Sequence, residues 1–359
     1  MTHTEVKMAL NCSFLNISES CNNSTQTPSV AETNSPLNSK QKIRIAIYII
    51  SIVLSWTGNS LVILVSILKR RTLSPCRILM GHLAVTNLLF SIRLPSQIRL
   101  ETNGYVWEHG LFMCKVFNGF NSASLLASIQ TVTVIAVERY RGLSKPHSRK
   151  WTKTEIMLSI VFVWCAALLS YTPYMIYLGL HGTRCSDKYP SLAAQQVYSV
   201  FLVFMRYVIP LAIMSVCYFK IGMVIHRRPT RVSTHQNKSD ELNRKRENKR
   251  IIRILVVIVV AFALLTAPTS IWWLWYDFGG SESLTRPALD LVEVFAAFLY
   301  LHSAINPIIY GIMDKQFKKG VRELFSWCCG MRSNEIASNQ EATAHGPQKA
   351  RTRTSKVES

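Results

Sequence analysis

Long uncharged runs alternate with short charged segments along most of this chain. Runs of about twenty residues or more stand at Ile45 to Leu68, Val116 to Val137, Ile156 to Leu180 and Ile254 to Tyr276. Three further apolar stretches, Ile78 to Arg99, Val197 to Phe219 and Leu289 to Met313, carry one or two charges each. Each is long enough, as a helix, to cross about 30 Å of hydrocarbon. The pattern predicts an all-α membrane protein folded as a seven-transmembrane helix bundle. After Asp314, Phe317, Val321, Leu324 and Phe325 recur at helical spacing with Lys315, Lys318, Lys319 and Arg322 between them. That predicts a short amphipathic helix after the seventh span, lying on the inner membrane surface.

Composition agrees with the pattern. Only 17% of residues are charged and 49% are hydrophobic, against about 25% charged in ordinary soluble proteins. The net charge of +21 does not point to nucleic acid, because the basic residues collect in alternate connections. Lys69, Arg70, Arg71 and Arg77 fall between spans one and two; Arg141, Lys145, Arg149, Lys150 and Lys153 fall between three and four. The segment Lys220 to Arg253 and the tail after Asp314 are basic too, whereas the loops near Glu101, Asp187 and Glu282 are nearly neutral or acidic. The positive-inside bias then places the N-terminus outside and the C-terminus inside, as in a multi-pass plasma-membrane protein.

Residues 1–41 read as a glycosylated extracellular N-terminus with Asn-X-Ser/Thr sequons at Asn11, Asn16, Asn22 and Asn23. No charged-then-apolar leader precedes them, so the first span is expected to serve as the insertion signal. Residues 42–313 form the bundle, 314–329 the membrane-surface helix and 330–359 a disordered cytoplasmic tail. Residues 229–247 read as a polar inner loop leading into a basic extension of span six. Cys328 and Cys329, beside the amphipathic helix, are candidates for palmitoylation. Cys114 and Cys185 lie at the outer end of span three and in the loop after span four, both on the oxidising side, which makes them a candidate bridge. Cys12 and Cys21 are a second candidate pair, and Cys76, Cys165 and Cys217 read as apolar filler. The cysteine spacings suggest no zinc site, and nothing calls for a metal or cofactor.

Seven spans would also fit transporters, channels and some enzymes, so the motifs decide. Span one holds Gly58-Asn59, and span three ends in Glu138-Arg139-Tyr140 with Pro146 following. Span four has Trp164, span five Pro210 and Tyr218, span six Phe262 and Pro268, and span seven Asn306-Pro307-Ile308-Ile309-Tyr310. In this order, each on its own span, the set resembles the rhodopsin-like (class A) G protein-coupled receptors over residues 43–327. The resemblance implies a non-enzymatic receptor that activates heterotrimeric G proteins and is handled by arrestin and a receptor kinase. It implies that Glu138 restrains Arg139 at rest, that Arg139 engages the G protein, and that Tyr218 and Tyr310 swing inward on activation. Pro210, Pro268 and Pro307 are bend points.

Three departures from that pattern carry expectations. The acid of span two that helps to hold sodium in the family is Asn87, leaving Asn59, Asn87, Ser128 and Asn306 as an uncharged polar core. The tryptophan two residues before the proline of span six is Thr266, which shifts the coupling toward Phe262. The lock acid at the base of span six is Asn248, with Glu247 adjacent, which predicts weak basal restraint.

For the ligand, Tyr300 stands where a retinal pigment needs lysine and Asn121 where an amine receptor needs aspartate. Asn118, Asn121 and Ser128 share one face of span three, so the inward wall there is polar and uncharged. Arg93 and Arg206 lie at membrane depth, where they either meet an anionic ligand group or are structural, Arg93 by pairing with Glu293 or Asp290. Trp272, Trp273, Trp275 and Tyr276 line the mouth or belong to an interfacial belt. Trp107 before Gly110 and Cys114, Pro95, and the Leu301-His302-Ser303 run look like the peptide and chemokine receptor branch. A (neuro)peptide is therefore the expected ligand, with a small anionic metabolite or lipid as the alternative. A transporter is the remote third class; it would show internal repeats with broken helices, and none is visible. An intramembrane hydrolase would need paired aspartates, a Ser/His pair or a zinc set, and the sequence offers none.

Overall fold

The computed structural model describes residues 37–68, 74–144, 151–227, 235–278, 286–313 and 315–328. The sequons, Cys12, Cys21, Pro146, Cys329 and the tail lie outside the described residues, as do the side chains of Cys328, Glu247, Asn248, Asp290 and Glu293.

Eight helices follow the hydrophobic pattern: α1 Ser39–Leu68, α2 Pro75–Thr102, α3 Gly110–Leu143, α4 Lys153–Tyr177, α5 Leu192–Val224, α6 His235–Asp277, α7 Arg286–Met313 and α8 Lys315–Cys328. Among the described residues, six of them, α1 to α6, are long and apolar enough to cross a membrane. In α7 the apolar stretch is shorter, Ala297–Ile312.

Helix α3 is the axis of the bundle. Its apolar window is 72% buried, against 17% to 44% in the other five. Leu79 and Leu83 of α2, Ile129 and Ile135 of α3, Met214 of α5, Ile258 and Phe262 of α6 and Tyr310 of α7 pack into one core. The outer faces are equally apolar: Phe162, Leu169, Val197 and Leu264 are about 70% exposed or more. A contiguous apolar exterior of this extent needs lipid as its solvent. Between helices that share an apolar solvent, close approach has to supply the attraction. Gly58 shows why: a β-carbon there would stand 2.5 Å from Pro307 Cβ, so α1 and α7 meet at this distance only with glycine.

The sequence expectation of an all-α fold needs one correction. Helix α4 stops at Tyr177, and the expected last turn of span four becomes β1 Leu178–His181, paired antiparallel with β2 Arg184–Asp187. Gly182, at φ +60, makes the turn between them. A free hairpin of this size is marginal in water; here the Cys114–Cys185 disulfide ties it to α3. Helix α2 is also interrupted, between Ser91 and Leu94. Pro95 has no amide hydrogen and its ring crowds the carbonyl four residues earlier, that of Ser91. In α5 the turn Phe204–Val208 is a π-helix immediately ahead of Pro210, the wider turn making room for the proline ring.

Candidate functional site

At the inner end of α3, Arg139 Nε stands 3.1 Å from Glu138 Oε2, and both side chains are largely buried. Cys76 of α2 lies beside the guanidinium. Lys220 of α5 lies over the Tyr140 ring at 5.6 Å. The Tyr218 hydroxyl is buried with no hydrogen-bond partner among the described residues. Tyr310, also buried, meets Phe317 of α8 edge to face at 6.4 Å. The motif residues of three helices thus converge on one inner site.

Above it lies the uncharged polar core. Ser128 Oγ donates to Asn87 Oδ1 (2.8 Å), Asn87 Nδ2 donates to Asn59 Oδ1 (3.4 Å), and Asn59 Nδ2 donates to the carbonyls of Ser55 and Ser303 (2.9 Å each). These bonds join α3, α2, α1 and α7, and no acid enters the chain. Asn306 is fully buried beside it without a hydrogen-bond partner among the described residues. Close by, Trp164 Nε1 of α4 donates to His82 Nε2 of α2 (2.9 Å). Thr131 gives its hydroxyl hydrogen to Ala127 O (2.6 Å) while lying 3.0 Å from His82 Nδ1. The His82 proton therefore sits on Nδ1, and the neutral ring bridges α2, α3 and α4.

Two of the expected pocket residues of α3 hydrogen-bond within the bundle. Asn121 Nδ2 donates to the carbonyls of Phe90 (2.6 Å) and Leu89 (3.4 Å), capping α2 just before its break. Asn118, also buried, donates to Cys185 Sγ (3.2 Å). Cys114 and Cys185 are bonded, their Cα atoms 5.6 Å apart, and Trp107 secures the hairpin through its amide to Thr183 O (2.7 Å).

The outer mouth holds what sequence reasoning missed. Asp277, at the last turn of α6, is 3% exposed. Gln195 Nε2 donates to its Oδ1 (2.5 Å) and Ser199 Oγ to its Oδ2. These residues lie one turn apart on α5, and both donors are neutral. No cation pairs with Asp277 among the described residues. Burial first, and then neighbouring groups that include the carboxylates of Asp187 on β2 and Asp277, push the Tyr189 hydroxyl above its ordinary range. Tyr177, Tyr189 and Tyr198 form a ladder of rings at 5.0 and 5.6 Å along the same wall. Of the two membrane-depth arginines, Arg206 donates to the neutral Tyr171 hydroxyl (3.2 Å). Arg93 is half-buried beside Tyr174. Neither arginine has an ion-pair partner among the described residues. Trp272 is half-buried against Trp275 (5.0 Å), while Trp273 and Trp275 are exposed, as an interfacial belt requires.

A further buried pair ties down the outer ends of α1 and α2. Arg44 Nε and Nη2 donate to Glu101 Oε1 (3.0 Å) and Oε2 (2.7 Å), and Tyr105 Oη, positioned by φ values of +70 and +66 at Gly104 and Tyr105, donates to Oε2 (2.7 Å).

The family model described as 7 transmembrane receptor (rhodopsin family) matches residues 58–310. The chain belongs to this family. Its relatives include the neuropeptide Y receptor type 6 of Oryctolagus cuniculus, 27% identical over 299 residues, 78% of this chain and 80% of the relative. The neuropeptide FF receptor 1 of Rattus norvegicus is 26% identical over 303 residues, 78% of this chain and 69% of the relative. The pyroglutamylated RF-amide peptide receptor of the same species is 27% identical over 300 residues, covering 78% and 69%. In this rhodopsin-family receptor, Thr266 replaces the tryptophan of the resemblance and spends its hydroxyl on Phe262 O (2.9 Å). Asp277 was findable: it is the first charge after an uncharged run of more than twenty residues. The sequence held no sign that neutral side chains would bury it.

Proposed function

We propose that this receptor sits in the plasma membrane with its N-terminus outside, binds an extracellular peptide at the mouth between α5, α6 and the β-hairpin, and activates heterotrimeric G proteins at Arg139. In this reading α7 is the seventh span, α8 lies on the inner surface, and arrestin and a receptor kinase share the inner face. The carrying observation is Asp277. A buried carboxylate held only by neutral donors has paid much of its desolvation cost without a counter-charge. A guanidinium or ammonium group from a peptide supplies that charge, with Asp187 and the tyrosine ladder beside it. The relatives, named for neuropeptides, support the same ligand class.

The test is nucleotide exchange on a panel of heterotrimeric G proteins, with the receptor in nanodiscs and a peptide library varied in basic residues. Stimulation by basic peptides that is lost in Asp277→Asn fits the proposal. Stimulation indifferent to Asp277 removes it. Arg206, with a neutral hydroxyl as its partner, favours a second reading in which a small anionic metabolite or lipid binds deeper in the bundle.

A further inference from the structure

The outer mouth carries opposite charges at two ends of one wall, and the wall can be followed contact by contact. At one end Asp277 of α6 is held by Gln195 and Ser199 of α5. Tyr198, the residue before Ser199, donates its hydroxyl to Ser170 O of α4 (2.9 Å). On α4 the Tyr171 and Tyr174 rings meet edge to face at 6.2 Å. Tyr174 packs on the same small cluster as Leu100, in the outer segment of α2, Leu94–Thr102. Half-buried Arg93 stands at the start of that segment. The wall therefore runs from a carboxylate on α6, over α5 and α4, to a guanidinium on α2.

The protein neutralises neither end. Asp277 has only neutral donors, and the Arg93 guanidinium has no ion-pair or hydrogen-bond partner among the described residues. Arg206 differs, since it already spends a donor on Tyr171 Oη (3.2 Å). An unpaired cation at membrane depth is costly, which makes it a mark of function. Its five N–H donors form a fork that fits a carboxylate with two parallel bonds. A ligand with a basic group alone satisfies Asp277 and leaves Arg93 desolvated and unpaired, which weakens binding. A ligand with both charges satisfies the two ends at once.

We propose that the peptide is dipolar: its basic group pairs with Asp277, and a carboxylate, from its C-terminus or from an acidic side chain, is held by Arg93. This inference rests on the peptide reading above and adds the second half of the ligand's chemistry.

The probes are pools of N-acetylated octapeptides in which arginine is the only basic residue and is moved along the chain. Each pool is made in three forms: a C-terminal acid without Asp or Glu, a C-terminal amide with one Glu, and a C-terminal amide with no acidic residue. Potency is read as nucleotide exchange on the G protein panel, with the full-length receptor in nanodiscs. In the parent, at least one carboxylate-bearing form should act at concentrations about tenfold lower or more than the carboxylate-free form. Which of the two does so identifies the source of the carboxylate. Arg93→Met should erase the preference by weakening the carboxylate-bearing form alone, and Arg93→Gln should do the same and decides the matter if Arg93→Met does not fold. Asp277→Asn should weaken all arginine-bearing forms alike and leave their ratio unchanged. Equal potency of the three forms in the parent, as expected if Arg93 pairs with α7 instead, would overturn the proposal, and so would a preference that survives both Arg93 substitutions. Stimulation that depends on Asp277 but ignores the carboxylate removes this inference and leaves the peptide reading standing; stimulation by no pool removes the peptide reading itself.

Discussion

Replacing Arg44 with methionine should destabilise the receptor more than any exposed charge change, because it strands a buried carboxylate. Arg44 and Glu101 side chains are 3% and 2% exposed, and their closest atoms are 2.7 Å apart. At an effective dielectric near 20, charges at that distance attract by about 6 kcal/mol. Removing two ions from water costs several kcal/mol for each, so the intact pair is close to neutral for stability. Breaking it is not neutral: one unpaired buried charge costs about 3 to 5 kcal/mol. Tyr105 cannot substitute for the guanidinium, since its single proton already goes to Glu101 Oε2. Arg44→Met should therefore lower the apparent melting temperature by on the order of 10 °C, read as loss of the monodisperse peak after heating in detergent. An apparent melting temperature depends on heating rate whenever unfolding is irreversible, so the comparison uses one heating protocol throughout. The double variant Arg44→Met with Glu101→Leu should recover most of the loss, because no charge remains to be solvated. A single variant that melts with the parent, or a double variant worse than both singles, would refute the reasoning.

The polar core predicts ion selectivity, since a sodium ion at that depth needs a negative charge and the bonded chain Ser128, Asn87, Asn59 is neutral. Activation by a peptide should be the same in sodium chloride and N-methylglucamine chloride at equal ionic strength, and Asn87→Asp should introduce a sodium-dependent rightward shift. At the outer mouth, Asp277→Asn should weaken a basic peptide by about 2 kcal/mol, near 30-fold in Kd, while leaving neutral analogues unaffected. Arg206→Met should weaken an acidic ligand by about 2 kcal/mol if the second reading holds, and should leave a basic peptide's Kd unchanged if the first does.

Six of the spans, and the grouping of motif residues at the inner end of α3, were legible because both are written locally. Hydrophobic runs set where helices form, and Glu138-Arg139 and Asn306-Pro307 carry their chemistry within two residues. What stayed hidden depends on which helix a side chain meets. Asn121 lies on the polar face of α3 as its spacing says, but only the bundle shows that this face meets the broken turn of α2. Arg44 and Glu101, 57 residues apart, each look like an ordinary charge near a membrane surface, and their pairing shows only once α1 and α2 are packed side by side. The end of span four was misplaced because Leu178, Gly179 and Leu180 are as apolar as the helix before them. A hairpin held by a disulfide has no hydropathy signal of its own.

The claim that an event at the outer mouth drives chemistry at the inner one is tested most directly by pairing ligand binding with nucleotide exchange in a single variant. Arg139 lies at the inner end of α3, against Glu138 and away from Asp277 and the hairpin. With a peptide that stimulates the parent receptor, Arg139→Ala should bind with unchanged Kd, measured without G protein, and should show no stimulated GTPγS uptake by the heterotrimer. Uptake at the parent rate in Arg139→Ala would contradict the account.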